Sequence, residues 1–222
     1  AEAMKLRHMT SVYADGSGSP LKRPEGVAFD GKSLLAIADT GNGKIVLYTL
    51  RDEKLVPQAS FALPQLPYPI RLQFDPKGEI LALDGKSRRI ARVTAAGEFR
   101  GYLEPSGVPT SGTVIPRSFK LDGKGNSHVL DIFSGRVLVL DSSGRFQREI
   151  PFPELGEILS PCWSPDGAYI AFSALAGGVT DIFIYDLANK VLKQMTRDVY
   201  GDLQPDLGDV WLAKRQRDSV CY

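Results

Sequence analysis

Residues 159–173 read LSPCWSPDGAYIAFS. A short apolar run, the turn Ser-Pro-Asp-Gly and a second apolar run make the pattern of a β-hairpin, because Asp-Gly supplies the positive backbone angles of a tight reversal. Three earlier segments hold the same place in a repeat but are spelled differently: RPEGVAFDGKSLLAIAD (residues 23–39), YPIRLQFDPKGEILALD (68–84) and IPRSFKLDGKGNSHVLD (115–131). Aligned on the turn aspartate, Asp30, Asp75, Asp122 and Asp166 follow one another at spacings of 45, 47 and 44 residues. Pro24, Pro69 and Pro116 stand six residues before their aspartate, and Pro161 stands five before Asp166. A period in the forties with strand-like content is the signature of propeller blades.

Each unit divides in the same way. A first apolar strand (GVAF, RLQF, SFKL, PCWS) leads through the turn to a second, nearly all-apolar strand (LLAIA, EILAL, SHVL, YIAFS). Such runs suit strands covered on both faces. A third strand follows (KIVLYTL, RIARV, RVLVL, DIFIY), then a more polar fourth (KLVPQASF, EFRGYL, RFQREI, KVLKQMT). Polarity rising along the unit is what radial sheets require, since the fourth strand is an edge that meets water. A fifth unit, QPDLGDVWLAKRQRDSVCY, starts at Gln204 and lacks a fourth strand, while LRHMTSVYAD (residues 6–15) echoes LKQMTRDVYGD (192–202). The expectation is therefore an all-β, single-domain propeller over residues 1–222, with residues 1–20 as a clasp strand. Its four-stranded blades run approximately over 21–65, 66–112, 113–156, 157–200 and 201–222 plus 5–15. Five blades are favoured, closed by the N-terminal strand completing the last one; a truncated six-bladed ring is the alternative.

Units one to three resemble NHL repeats: PEGVAFD…LLAIADTGNGKIVLYTL, PIRLQFD…EILALDGKSRRIARV and PRSFKLD…SHVLDIFSGRVLVLD carry a proline before the first strand, an aspartate closing the second and a basic residue before Ile or Val. Unit four resembles the propeller repeat of TolB-type proteins, in SPCWSPDGAYIAFS…DIFIYDL…LKQMT. Both resemblances imply propellers, so the two spellings encode one kind of blade. The fifth unit lacks SPDG, and no α/β domain of the TolB kind precedes the repeats. The resemblance thus implies the fold and an envelope or extracellular setting rather than the TolB role itself.

Twenty-seven Lys and Arg against twenty-six Asp and Glu leave a formal charge of +1. That balance argues against a nucleic-acid surface. Charges, Pro and Gly interrupt every apolar segment, so no membrane insertion is expected. The start, AEAMKL, shows no signal peptide; either none existed or it has been removed. Cys162 and Cys221 belong to no CxxC pair and read as small buried side chains, with a disulfide as the alternative.

An aspartate closing the second strand is followed five residues later by a cation in three units: Asp39 with Lys44, Asp84 with Arg89, Asp131 with Arg136. Across a hairpin this spacing predicts structural ion pairs. In unit five both members are gone, replaced by Lys214 and Ser219, which favours the structural reading over a ring of metal-binding carboxylates. His8 and His128 are the two histidines, too few for a catalytic zinc site, and GxSxG, P-loop and HExxH motifs are missing. No catalytic residue, metal or cofactor is assigned.

Residues just after each unit's proline, with the loops before them, should meet at the mouth of the ring. Glu25, Tyr68, Arg71, Arg117 and Asp206 are the candidate partner-binding residues there, flanked by Lys22 and Arg23. Arg71 and Arg117 would suit an acidic peptide or carboxylate; holding neighbouring blades together is their competing role. The expected function is a non-enzymatic scaffold that binds a protein or peptide, periplasmic or extracellular. The alternatives are a metal-dependent hydrolase or lyase of the propeller type and a subunit of a larger assembly.

Overall fold

A computed structural model describes residues 8–109, 113–131, 134–151, 158–164, 166–176 and 178–197. All sixteen of its strands lie in four antiparallel sheets of four, each sheet in chain order. The first holds β1 (Gly26–Phe29), β2 (Leu34–Asp39), β3 (Lys44–Arg51) and β4 (Lys54–Ala62); the second holds β5 (Pro69–Phe74), β6 (Ile80–Asp84), β7 (Ile90–Val93) and β8 (Phe99–Tyr102). The third holds β9 (Pro116–Leu121), β10 (Ser127–Asp131), β11 (Arg136–Leu140) and β12 (Phe146–Pro151); the fourth holds β13 (Ile158–Trp163), β14 (Tyr169–Ala176), β15 (Val179–Asp186) and β16 (Val191–Gln194). The fold is an all-β propeller fold. Two compact units each carry two of these blades, Ala1–Glu104 and Pro105–Tyr222.

In the first unit, Ala28, Ala36, Ala38, Ile45 and Leu47 of the first sheet pack with Leu72, Ile80, Ala82, Ala91 and Val93 of the second. Small side chains on one sheet let the larger ones of the next interdigitate. At Gly26 the two sheets approach closely, since a Cβ there would stand 2.8 Å from the Ile70 carbonyl oxygen. In the second unit, Leu130, Val137, Val139 and Ile150 of the third sheet pack with Trp163, Ile170, Phe172, Phe183 and Tyr185 of the fourth. Phe172 and Phe183 stack at 5.8 Å, and the Tyr185 hydroxyl donates to the Pro151 carbonyl at 2.8 Å. Burying these large side chains contributes about 2 kcal/mol each.

The blade count differs from expectation: the described residues form four sheets, not five, and the fifth unit, with Asp206, lies outside them. The last blade that the N-terminal clasp would complete lies outside the described residues as well. Within the described part, residues 8–15 lie against the first sheet: Ala14 bridges Pro20, and the Tyr48 hydroxyl of β3 donates to the Ala14 carbonyl at 2.7 Å. The cause is local. Asp15 gathers the N–H groups of Ser17 and Ser19 on one carboxylate oxygen, reversing the chain, and its other oxygen accepts from Lys44 Nζ at 2.6 Å. The segment therefore folds back on the first sheet. Lys44, with Ser17 and the backbone donors, holds the Asp15 carboxyl well below the usual carboxylate range.

The two spellings of the hairpin are one turn with different heads. Asp75 and Asp122 each accept an N–H from the residue two places on, donate their own N–H four residues ahead, and receive the N–H of Gly78 or Gly125 on their carbonyl. In the fourth sheet the residue with this backbone role is Ser164, not Asp166: its N–H donates to the Tyr169 carbonyl and its carbonyl receives Gly167. The Ser164 hydroxyl then does what a carboxylate does elsewhere, accepting the Tyr169 N–H at 3.0 Å while donating to Asp166 at 2.5 Å. The alignment on Asp166 is thus displaced by two residues, because the loop is one residue longer and divides the aspartate's task between serine and aspartate.

Candidate functional site

The buried aspartates closing β2, β6 and β10 set the geometry of the strand-start edges. Asp39 accepts the Lys22 N–H at 2.7 Å, Asp84 the Tyr68 N–H at 2.7 Å, and Asp131 the Ile115 N–H at 3.1 Å. Each carboxylate pins the segment that leads into its own blade. The cations are secondary and unequal. Lys44 stands 3.8 Å from Asp39 but 2.6 Å from Asp15, and Arg136 stands 3.3 Å from Asp131 and 2.8 Å from Glu149. For Asp84 and Arg89 the expected pair is replaced. Asp84 takes the N–H groups of Lys86 and Ser87 as well as Tyr68, while Arg89 pairs with Glu104 and lies over the Tyr102 ring. Three backbone donors already occupy most of the roughly four acceptor sites of the Asp84 carboxylate.

Pinning Tyr68 builds a patch. Its N–H is held by Asp84 and its carbonyl by the Gly85 N–H at 2.8 Å. A Cβ at Gly85 would stand 2.9 Å from Tyr68 Cδ1, so glycine there is what lets the ring lie against the turn that carries Lys86. Lys86 Nζ and the Arg23 guanidinium each lie 5.2 Å from the Tyr68 ring centroid. Arg23 reaches it from a left-handed backbone, φ 46°, uncommon for a residue with a side chain. Arg71, at the start of β5, donates to the Glu25 carbonyl at 3.0 Å and the Ile70 carbonyl at 2.9 Å. The Glu25 carboxylate sits on Arg23 at 3.1 Å.

The first unit thus brings together Glu25, Tyr68 and Arg71 of the expected site, with Arg23 beside them. Arg117 opens β9 in the second unit and is half-buried, and Asp206 lies outside the described residues. Lys86 was missed by sequence reasoning, although its place two residues after Asp84 marks it as the turn that Asp84 organises. Arg23 and Lys86 are exposed while Tyr68 and Arg71 are half-buried. Two cations beside one aromatic ring, with Arg71 tied to the Glu25 backbone and the Glu25 carboxylate on Arg23, can take a planar anion on the guanidinium edges and an extended chain along the ring. Among the described residues no group of three or more His, Cys, Asp or Glu could hold a metal ion, and no helix is long and apolar enough to cross a membrane.

The site and sheets define a class, an all-β propeller fold with a basic, aromatic strand-start edge. No protein-family model and no curated protein matches the sequence. Solved structures do. Virginiamycin B lyase from Staphylococcus aureus, solved as a catalytically inactive variant with quinupristin, is similar at a TM-score of 0.55 and 16% identity, over 80% of this chain and 56% of that one. A streptogramin B lyase is similar at a TM-score of 0.54 and 14% identity, over 79% of this chain and 55% of that one. Selenomethionine-substituted virginiamycin B lyase from Staphylococcus aureus gives a TM-score of 0.52 at 16% identity, over 79% and 56%. At this identity the likeness is one of fold, and the chain spans little more than half the length of each.

Proposed function

We propose that the protein is a propeller scaffold that binds an acidic segment of a partner protein or peptide at the edge where β1 and β5 begin. The observation that carries this reading is the Arg23–Tyr68–Lys86 cluster, on which Glu25 already rests as a carboxylate. That internal pair is exposed, and exposed pairs contribute about 0–1 kcal/mol. An incoming carboxylate can therefore displace Glu25 at little cost and gain Arg71 and Lys86 as neighbours. The resemblance of the fourth unit to TolB-type repeats supports a setting in the bacterial envelope or outside the cell.

The test is fluorescence anisotropy with a labelled peptide of alternating Glu and Gly. The unaltered protein should bind it, and the Arg23→Glu, Lys86→Glu double variant should bind at least about tenfold more weakly, the loss of two charge-assisted contacts. A Lys–Gly peptide of equal length should not bind. Equal affinity of variant and parent, or equal binding of the basic peptide, would overturn the reading.

The lyase alternative takes its support from the solved neighbours, which share the fold at 14–16% identity. A second reading with an observation of its own is a subunit of a larger assembly. Val27 and Phe29 of β1 are 62% and 47% exposed on a sheet face of the kind that stacked blades bury.

A further inference from the structure

Two buried polar rings of the second unit, His128 and Trp163, belong to no turn or binding edge. His128 is the second residue of β10 and points into the seam between the third and fourth sheets, on the same face as Leu130. Its ring meets Trp163 at the end of β13 edge to face, with centroids 6.0 Å apart and an interplanar angle of 86°. Both residues are 9% exposed. His128 Nε2 stands 3.6 Å from Asp122 Oδ2, whereas His128 Nδ1 and Trp163 Nε1 are buried with no hydrogen-bond partner. Trp Nε1–H can only donate, and a neutral imidazole that carries its proton on Nε2 offers Nδ1 only as an acceptor. The two unpaired atoms are chemically complementary as long as the imidazole is neutral.

The charges around His128 come from each element that flanks it. Lys120 lies directly opposite on β9, and on the other side Val139 of β11 separates it from Arg148 of β12. Asp122, just past β9, is the anion at its Nε2. Asp166, beyond β13, is engaged by Ser164 and the Ala168 N–H. Burial pushes the His128 imidazole down from its ordinary value, Asp122 pulls it up, and Arg148 pushes it down again, with a net lowering.

The geometry points to an acid-sensitive latch on the seam between the third and fourth sheets: neutral His128, with Nε2–H toward Asp122 and its ring against Trp163, holds the seam closed, and a proton on Nδ1 opens it. The protonated ring adds a second buried donor without a partner, at Nδ1, to that of Trp163 Nε1, and puts a cation among Leu130, Val137 and Val139. Because the group is harder to protonate folded than unfolded, the unfolded chain binds more protons below the ordinary value of 6.5. Stability is full above that pH and falls as the pH drops through it.

Two measurements test this on the full chain. In a Trp211→Phe background, Trp163 is the single tryptophan, and its emission during urea unfolding reports on the seam. Between about pH 7.5 and about pH 5.5 the unfolding constant should rise at least roughly threefold more than in the same chain carrying His128→Phe, which keeps an aromatic ring against Trp163 but cannot titrate. Equal pH responses would overturn the latch. Should His128→Phe not fold, the imidazole nitrogen shifts of the unaltered protein decide. The Nε2–H tautomer with a titration midpoint below the ordinary value supports the latch, and the Nδ1–H tautomer or an ordinary midpoint overturns it.

Discussion

Asp84 shows how one side chain fixes the start of a blade. Its carboxylate is fully buried and receives the N–H groups of Tyr68, Lys86 and Ser87 at 2.7, 2.9 and 2.6 Å. Replacing it by alanine strands three backbone donors in the interior. The expected cost of Asp84→Ala is about 3 kcal/mol. Arg89→Ala should cost no more than about 1 kcal/mol, because its contacts to Glu104 and Tyr102 lie at the surface. Urea unfolding of the two variants separates the possibilities, and equal losses would restore Arg89 as the partner that matters. The position of these aspartates was legible in the sequence, since each closes a strand and recurs in three units. Their partner was not. It is a backbone N–H 16 or 17 residues back, and every residue except proline carries that group, so no residue-type pattern can point to it.

Among the elements, strands were the easier part and alignment the harder. Apolar runs bounded by Asp-Gly or Asp-Pro-Lys-Gly located all four strands of each described sheet, because hydrophobic pattern and turn chemistry agree there. Identity misled where position should have decided. Phe29, Phe74, Leu121 and Trp163 each end an inner strand, and the residue after each heads the turn, which makes Ser164 the counterpart of Asp75 and Asp122. Ser164 is fully buried and its hydroxyl both accepts the Tyr169 N–H and donates to Asp166. Ser164→Ala should therefore destabilise the second unit by about 1–2 kcal/mol, visible as a lower urea midpoint followed at Trp163. Asp166→Ala should cost less, since Asp166 is exposed and the Tyr169 bond survives. The reverse order would mean that Asp166 heads this turn after all.

For the whole molecule, the repeat period reported the fold class because each blade repeats the same burial problem, whereas the blade count rested on residues 201–222, outside the described part. The proposed binding patch was half legible: loops before the strand starts pointed to Tyr68 and Arg71, but Lys86 joins them only through a turn that folds under the tyrosine ring. The first sheet also leaves a question of association that its sequence pattern alone would not raise. Val12 and Leu21 pack beside Val46 and Tyr48 on one sheet face, where Leu35 and Ile37 also lie. On β1, paired with that part of β2, Val27 and Phe29 stay open to water. Contiguous apolar surface of this kind drives association. If the protein assembles with itself through this face, light scattering should show a mass that rises with concentration. Val27→Asp should hold the protein as a monomer at the same concentrations. At 62% exposure Val27 adds little to folding, so the urea midpoint of that variant should stay within about 0.5 kcal/mol of the parent. A parent that is monomeric at every concentration removes self-assembly from the assembly reading, and a variant that associates as its parent does moves the contact away from β1.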